Sequence, residues 1–212
     1  YLNQVGGQDE LVFDGASFAL NADRTLAHQL PAFRESLVVT DWVREGGRWH
    51  CARGETAEVE TGAQADYAAC VLGLRDYVGK NGFPGVVLGL SGGVDSALCA
   101  AMAVDALGPE RVHAVMLPSR FTAQRSLDDA KACADRLGLR YDIAPIAGPV
   151  AGFEDALSSL LAGADRRIAD ENLQSRIRGT ILMAISNAHG AMLVTTGNKS
   201  EMSCGYATLY GD

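Results

Sequence analysis

The densest chemistry in this chain sits in eight consecutive residues, Gly89-Leu90-Ser91-Gly92-Gly93-Val94-Asp95-Ser96. An apolar run, Val86-Val87-Leu88, precedes them, and Ala97-Leu98-Cys99-Ala100-Ala101-Met102 follows. That order reads as strand, glycine-rich turn, helix, the layout in which backbone N–H groups at a helix N-terminus cradle phosphates. No lysine follows the turn, so the pattern G-x-x-x-x-G-K-[ST] is absent. Two adjacent glycines after a strand also serve as a plain tight turn, and an aspartate at a helix start favours the helix dipole by itself. The two hydroxyls and the carboxylate in one turn point further. A carboxylate beside bound phosphates is repelled unless a divalent cation lies between them, so Asp95 in this position suggests Mg²⁺.

A second loop pairs naturally with the first. Met192-Leu193-Val194-Thr195 reads as a strand running into Thr196-Gly197, and Asn198-Lys199-Ser200-Glu201 follows. Asn at a helix N-cap with Glu three residues on is close to a capping box, which is compatible with a metal-binding role for the same carboxylate. Asn172 and Arg176 lie four apart on a helical pattern and point the same way, although that spacing alone fits a solvated helix edge equally. His28, His50, His113 and His189 are isolated from one another in sequence and read as structural or exposed.

The elements that must position these residues alternate. A helix is predicted over 65–80, ending at Asn81-Gly82, and then the strand into the first loop. The loop helix ends near Leu107-Gly108-Pro109, and Val112 to Leu117 forms a second strand closed by Pro118-Ser119-Arg120. A helix from Ser126 to Leu137, a third strand over 141–146, a short helix over 151–161 and a long helix over 170–189 complete the series. Alternation of this kind predicts an α/β fold with a parallel sheet. Ligands in such sheets bind beyond the C-terminal ends of the strands, so the glycine loop and Pro118–Arg120 are expected to share a crevice. Residues 9–40 differ: short apolar segments, the last at Leu37-Val38-Val39, separated by Asp14-Gly15 and Asn21-Ala22-Asp23, read as antiparallel hairpins. Residues 44–62 lack periodicity and read as a linker.

Composition narrows the classes. The 212 residues are 48% hydrophobic and carry a net charge of −8 with no basic run, which argues against a nucleic-acid partner held through phosphates. No apolar stretch approaches a membrane span and no signal peptide is visible. The five cysteines, Cys51, Cys70, Cys99, Cys133 and Cys204, show no C-x-x-C spacing and read as reduced thiols of a cytoplasmic protein. Tyr1-Leu2-Asn3-Gln4 and Tyr210-Gly211-Asp212 read as mid-domain sequence, which predicts a piece of a longer polypeptide.

The loop Ser91-Gly92-Gly93-Val94-Asp95-Ser96 resembles the pyrophosphate-binding loop of the N-type ATP pyrophosphatases, which split ATP into AMP and pyrophosphate. Four further stretches narrow the resemblance to glutamine-dependent NAD synthetases. These are Asn3 to Gly15, similar to the C-terminal strands of nitrilase-type glutaminase domains; Leu117 to Thr122 with Ser126 to Ala130; Glu171 to Gly179; and Thr195 to Met202 through Gly205 to Asp212. The implied organisation is a nitrilase-like tail over residues 1–43, a linker over 44–62 and an adenine nucleotide alpha hydrolase-like synthetase domain over 63–212, truncated at its C-terminus.

The resemblance implies roles residue by residue. Gly89, Leu90, Ser91, Gly92, Gly93, Val94, Asp95, Ser96 and Thr196 would bind ATP, with Asp95 and Glu201 holding Mg²⁺. Asn172, Arg176, Glu201 and Asp212 would contact deamido-NAD. No nucleophile is assignable: the family's glutamine-hydrolysing Glu, Lys and Cys lie upstream, and Cys51 and Cys70 fall beyond the matching segment. Ammonia-dependent relatives carry lysine where Leu209 stands, which favours the glutamine-dependent branch. The implied reaction is adenylation of deamido-NAD, then amidation to NAD⁺ by ammonia from glutamine, in a homo-oligomer. Alternatives are another amidotransferase with this loop, similar to GMP or asparagine synthetases, or a non-catalytic ATP-binding module similar to universal stress proteins. These 212 residues alone are expected to be poorly active, because the family draws further contacts from sequence after Asp212.

Overall fold

The computed structural model describes residues 1–207 and 211, and the chain divides into two compact units, Tyr1–Lys80 and Asn81–Asp212. The first unit is built from hairpins and one helix. Strands β1 (Val5–Gln8) and β2 (Leu11–Asp14) pair antiparallel, as do β3 (Phe18–Leu20) and β4 (Leu26–Gln29). Helix α1 (Ala63–Lys80) packs on β1: the Gly7 N–H donates to Asp76 Oδ2 at 2.8 Å, and Lys80 Nζ donates to the Gly7 carbonyl. The approach is close, since a Cβ on Gly7 would lie 3.0 Å from the Gly73 Cα.

Two sequence expectations change here. Leu37 and Val39 are 97% and 84% exposed and belong to no strand, because no partner strand covers them. Across the start of the expected linker (44–62), strands β5 (Trp42–Glu45) and β6 (Arg48–Cys51) form a hairpin around Gly46-Gly47, both at positive φ, 56° and 81°. Its side chains are exposed except Cys51, so the apolar alternation that marks a half-buried strand is missing. Beyond it, residues 54–57 run along β4: Gly54 N–H donates to Ala27 O at 3.0 Å and Ala57 N–H to Gln29 O at 2.8 Å.

The second unit holds a four-stranded parallel sheet in the order β10-β7-β8-β9. Strands β7 (Val86–Gly89) and β8 (Val112–Met116) are almost continuously apolar, as expected for a sheet covered on both faces. Strands β9 (Arg140–Ile143) and β10 (Met192–Val194) flank them. The connecting helices are α2 (Val94–Leu107), α3 (Gln124–Leu137), α4 (Ala147–Leu157), α5 (Arg167–His189) and α6 (Lys199–Cys204). Helix α4 lies earlier than the expected 151–161, and α5 begins three residues before Asp170. The core cluster is Val87, Val115, Leu117, Ile146, Ile177 and Leu182, so β7, β8 and α5 are locked together by burial of branched side chains.

Candidate active site

The chain runs β7, β8, β9 outward and then returns to place β10 on the other side of β7. The switch point therefore lies between β7 and β10, and the crevice of an open α/β sheet opens at the C-terminal ends of that pair. Gly89–Ser96 leaves the end of β7, and Thr195–Glu201 leaves the end of β10. The topology brings the two sequence-predicted loops to one edge.

The first loop is shaped by its own hydroxyls. Ser96, 3% exposed, has its Oγ 3.1 Å from Ser91 Oγ, accepts the Ser91 N–H at 3.2 Å and donates to Gly93 O at 3.1 Å. Gly92 has φ +84°, and a Cβ there would lie 2.3 Å from the Ser126 carbonyl oxygen, so the start of α3 sits directly against the loop. Helix α2 has Gly93 at its N-cap and no side-chain cap. Its first N–H groups are left to the crevice, where an anion can accept them. Asp95 is exposed in the first turn of α2.

The second loop is held by a full capping box. Asn198 Oδ1 accepts the Glu201 N–H at 3.0 Å, and Glu201 Oε2 accepts the Asn198 N–H at 3.0 Å. The bond occupies one carboxylate oxygen of Glu201 and leaves the other. Among the described residues no group of three or more His, Cys, Asp or Glu side chains converges on one point. Asp95 and Glu201 would offer hard carboxylate oxygens, the donor type that Mg²⁺ takes.

Helix α5 runs back against the strands. It ends at His189, and Met192 of β10 pairs with Val86 at the start of β7, so its N-terminal half lies toward the crevice. That half carries Asn172, half-buried, and Arg176, exposed. Asp212 and Leu209 lie outside the described residues.

Clefts lie beside the sheet at both ends among the described residues. One, of about 130 Å³, adjoins the crevice, with Ser119, Phe121, Val150, Glu154 and Gln174 in its wall. The other, about 200 Å³, opens at the far end, by Pro84, Val112 and His113. There His113 Nε2 donates to Asp142 Oδ2 at 2.9 Å, and Arg140 also bonds that oxygen. Burial holds the His113 imidazole below its usual range, and Arg140 adds to this, outweighing the opposing pull of Asp142. The Arg140 and His113 hydrogen bonds hold Asp142 below the ordinary carboxylate value. This larger cleft is remote from the glycine loops.

A parallel sheet with a glycine-rich loop and a carboxylate-bearing loop at its switch point defines an open α/β protein of the kind that binds ligands in that crevice. Comparison gives the family: residues 66–212 match NAD synthase, and the chain belongs to that family. It is 57% identical over 212 residues to the glutamine-dependent NAD(+) synthetase of Rhodobacter capsulatus, covering all of this chain and 38% of that one. A solved glutamine-dependent NAD+ synthetase from Acinetobacter baumannii, in complex with ADP, is 46% identical, with a TM-score of 0.95 over all of this chain and 40% of that one. The NH3-dependent NAD synthetase of Campylobacter jejuni is 31% identical, with a TM-score of 0.65 over 72% of this chain and 64% of that one. The chain spans 38% to 42% of the length of the curated relatives it matches.

Proposed function

We propose that this chain is the nucleotide-binding part of a ligase that amidates deamido-NAD to NAD⁺ at the expense of ATP, with ammonia drawn from glutamine. The observation that supports it is the placement of Gly89–Ser96 and Thr195–Glu201 at the ends of neighbouring strands, with one carboxylate on each loop. The names of the relatives supply the substrate class.

In this reading the ATP phosphates lie over Gly89 to Ser96, against the uncapped N-terminus of α2, and Thr196 contacts the nucleotide from the second loop. Asn172 and Arg176 hold deamido-NAD from α5, and Glu201 and Asp212 complete that contact. Asp95 and Glu201 would hold Mg²⁺, which would supply charge to offset that of the phosphates. The nicotinate carboxylate attacks the α-phosphorus, forming a P–O bond and releasing pyrophosphate. Ammonia then attacks the acyl carbon; the C–O bond breaks with its electron pair leaving on AMP, and the nitrogen gives up one proton to solvent to leave a neutral amide. The demand on the protein is electrostatic: oriented amides at α2 stabilise charge that develops on the phosphoryl oxygens. No side chain here acts as a covalent nucleophile. Residues 1–43 we read as the last strands of a nitrilase-like glutaminase domain, with 44–62 joining it to the synthetase domain over 63–212. We read the protein as a cytoplasmic homo-oligomer; among the described residues no helix is long and apolar enough to cross a membrane.

The test is AMP formation by the full-length protein with ATP, Mg²⁺ and ammonium, offering deamido-NAD, XMP or aspartate in turn. Formation with deamido-NAD alone, lost in Asp95→Ala and Glu201→Ala, is the expected result. Formation with XMP or aspartate assigns the chain to a different amidation. ATP binding with no acceptor-dependent AMP makes it a nucleotide-binding module.

A further inference from the structure

Arg178 has no role in the reading above, yet its place in the crevice is fixed by backbone geometry. The carbonyls at the end of β8 alternate in direction. Met116 O accepts from Ala144 N–H at 2.8 Å and Pro118 O from Ile146 N–H at 3.0 Å, so both face the β9 side. Val115 O accepts from Leu90 N–H at 2.9 Å and faces β7. By the same alternation Leu117 O, two residues on, falls on the side of Val115 O and away from the β9 side that Met116 O and Pro118 O face. It accepts from Arg178 Nε at 3.2 Å.

The guanidinium therefore reaches over the sheet end between β8 and the loop that leaves β7. Helix α5 and Leu117 both pack at this end of β7: a Cβ on Gly89 would lie 3.4 Å from Leu182 Cδ1 and 3.9 Å from Leu117 Cδ1. Arg178 is partly buried, and among the described residues no carboxylate forms an ion pair with it. A carbonyl takes one N–H and neutralises none of the charge, so a planar cation with further donors remains, oriented in advance.

We propose that Arg178 is a phosphate-binding residue of the crevice, its Nε anchored on Leu117 so that its remaining N–H groups meet the polyphosphate held by Gly89–Ser96. The inference rests on the reading that ATP phosphates lie over that loop. Preorganised by the anchor, the fork loses little rotamer freedom on binding.

The experiment compares ATP, inorganic pyrophosphate and adenosine as ligands of the full-length protein, by calorimetry for the two anions and ligand-observed NMR for adenosine. The expected result for Arg178→Met is a roughly 10- to 100-fold loss of ATP and pyrophosphate affinity with adenosine unchanged. Arg178→Gln keeps an N–H donor for Leu117 O and drops the charge, so it gives the same contrast should the methionine variant not fold. Equal losses for adenosine and ATP reduce Arg178 to a structural strut and overturn the proposal, as does unaltered ATP affinity. The contrast does not depend on turnover. If the wild-type protein forms no AMP from deamido-NAD, the proposed reaction fails while the ligand series still decides the role of Arg178.

Discussion

Ser91 Oγ and Ser96 Oγ lie 3.1 Å apart inside the glycine loop, and the pair closes the loop on itself. Ser96 Oγ also accepts the Ser91 N–H and donates to the Gly93 carbonyl, while Ser91 Oγ accepts the Gly93 N–H at 3.2 Å. With one donor and two acceptor sites, the Ser96 hydroxyl is fully used by the protein. Its role is to set the loop's shape; Ser91 O–H is then the donor of the 3.1 Å pair, so in the proposed reading the phosphate contacts fall to the backbone amides of the loop. Ser96→Ala is expected to lower stability by about 1–2 kcal/mol and to weaken ATP binding, read by urea unfolding and calorimetry. Ser96→Thr, which keeps the oxygen, should restore most of the affinity. Tight ATP binding by the alanine variant would show that the loop holds its shape without this hydroxyl.

Adjacent glycines in the same loop differ in what they tolerate. Gly92 combines φ +84° with the Ser126 carbonyl 2.3 Å from where a Cβ would stand, so Gly92→Ala must displace either the loop or the start of α3. A side chain at that φ alone costs roughly 1–2 kcal/mol. Gly93 has φ −88°, and a Cβ there would meet only Ser91 Oγ at 3.3 Å. Loss of ATP binding in Gly92→Ala, with Gly93→Ala weakened less than tenfold, is the expected pair of titrations. The reverse order would contradict this geometry.

Much of the second unit is legible in sequence because its strands are near-continuous apolar runs and its helices carry glycine stop signals. Val86-Val87-Leu88 and Val112 to Met116 leave little choice of element, and Gly138 and Gly190 end α3 and α5 in the left-handed conformation. The capping role of Asn198 and Glu201 also follows from local pattern. What sequence does not carry is contact across long separations. Arg178 meeting Leu117 spans 61 positions, and Gly92 meeting Ser126 depends on how α3 is set against the sheet. The β5–β6 hairpin escapes because its exposed side chains give no burial pattern, leaving Gly46-Gly47 as its one signal. Leu37 and Val39 mislead in the opposite sense: apolar and strand-like, they lie in solvent.

The far end of the sheet predicts a pH dependence. His113 has its proton affinity in the folded state held below the unfolded value of 6.5, burial being the larger cause. The unfolded chain thus binds the proton more readily, and stability rises with pH wherever the two states differ in protonation. Above the unfolded value both forms are neutral and this contribution is complete; as pH falls below 6.5 it is progressively lost until the folded form protonates too. Asp142 acts in the same direction in a lower window, beginning near its unfolded value of 3.8. Urea unfolding at pH 5.5, 6.5 and 7.5 should show lower stability at the acid end. His113→Gln, which cannot take up a proton, should flatten that difference relative to wild type. An unchanged slope in the variant would assign the pH dependence to other groups.

The proposed function asks Glu201 for a second task beside its observed cap, and one substitution separates the two. Its Oε2 caps the Asn198 amide at 3.0 Å, a role that needs an acceptor oxygen but no charge. The proposed task of holding Mg²⁺ with Asp95 would need the charge. Glutamine serves a capping box as well as glutamate does, so Glu201→Gln should retain the structure of α6. Asn198→Ala, by contrast, removes the acceptor for the Glu201 N–H and is expected to cost about 1 kcal/mol with the carboxylate still present. The two variants should therefore move opposite readouts. Glu201→Gln is expected to leave thermal stability near wild type while Mg²⁺-dependent AMP formation falls by at least ~100-fold, the scale of losing one charged group at a phosphoryl-transfer centre. Asn198→Ala should lower stability and reduce activity only modestly. A Glu201→Gln protein that keeps its activity and Mg²⁺ response would mean that this carboxylate is a cap alone, and that Asp95 holds the cation without it.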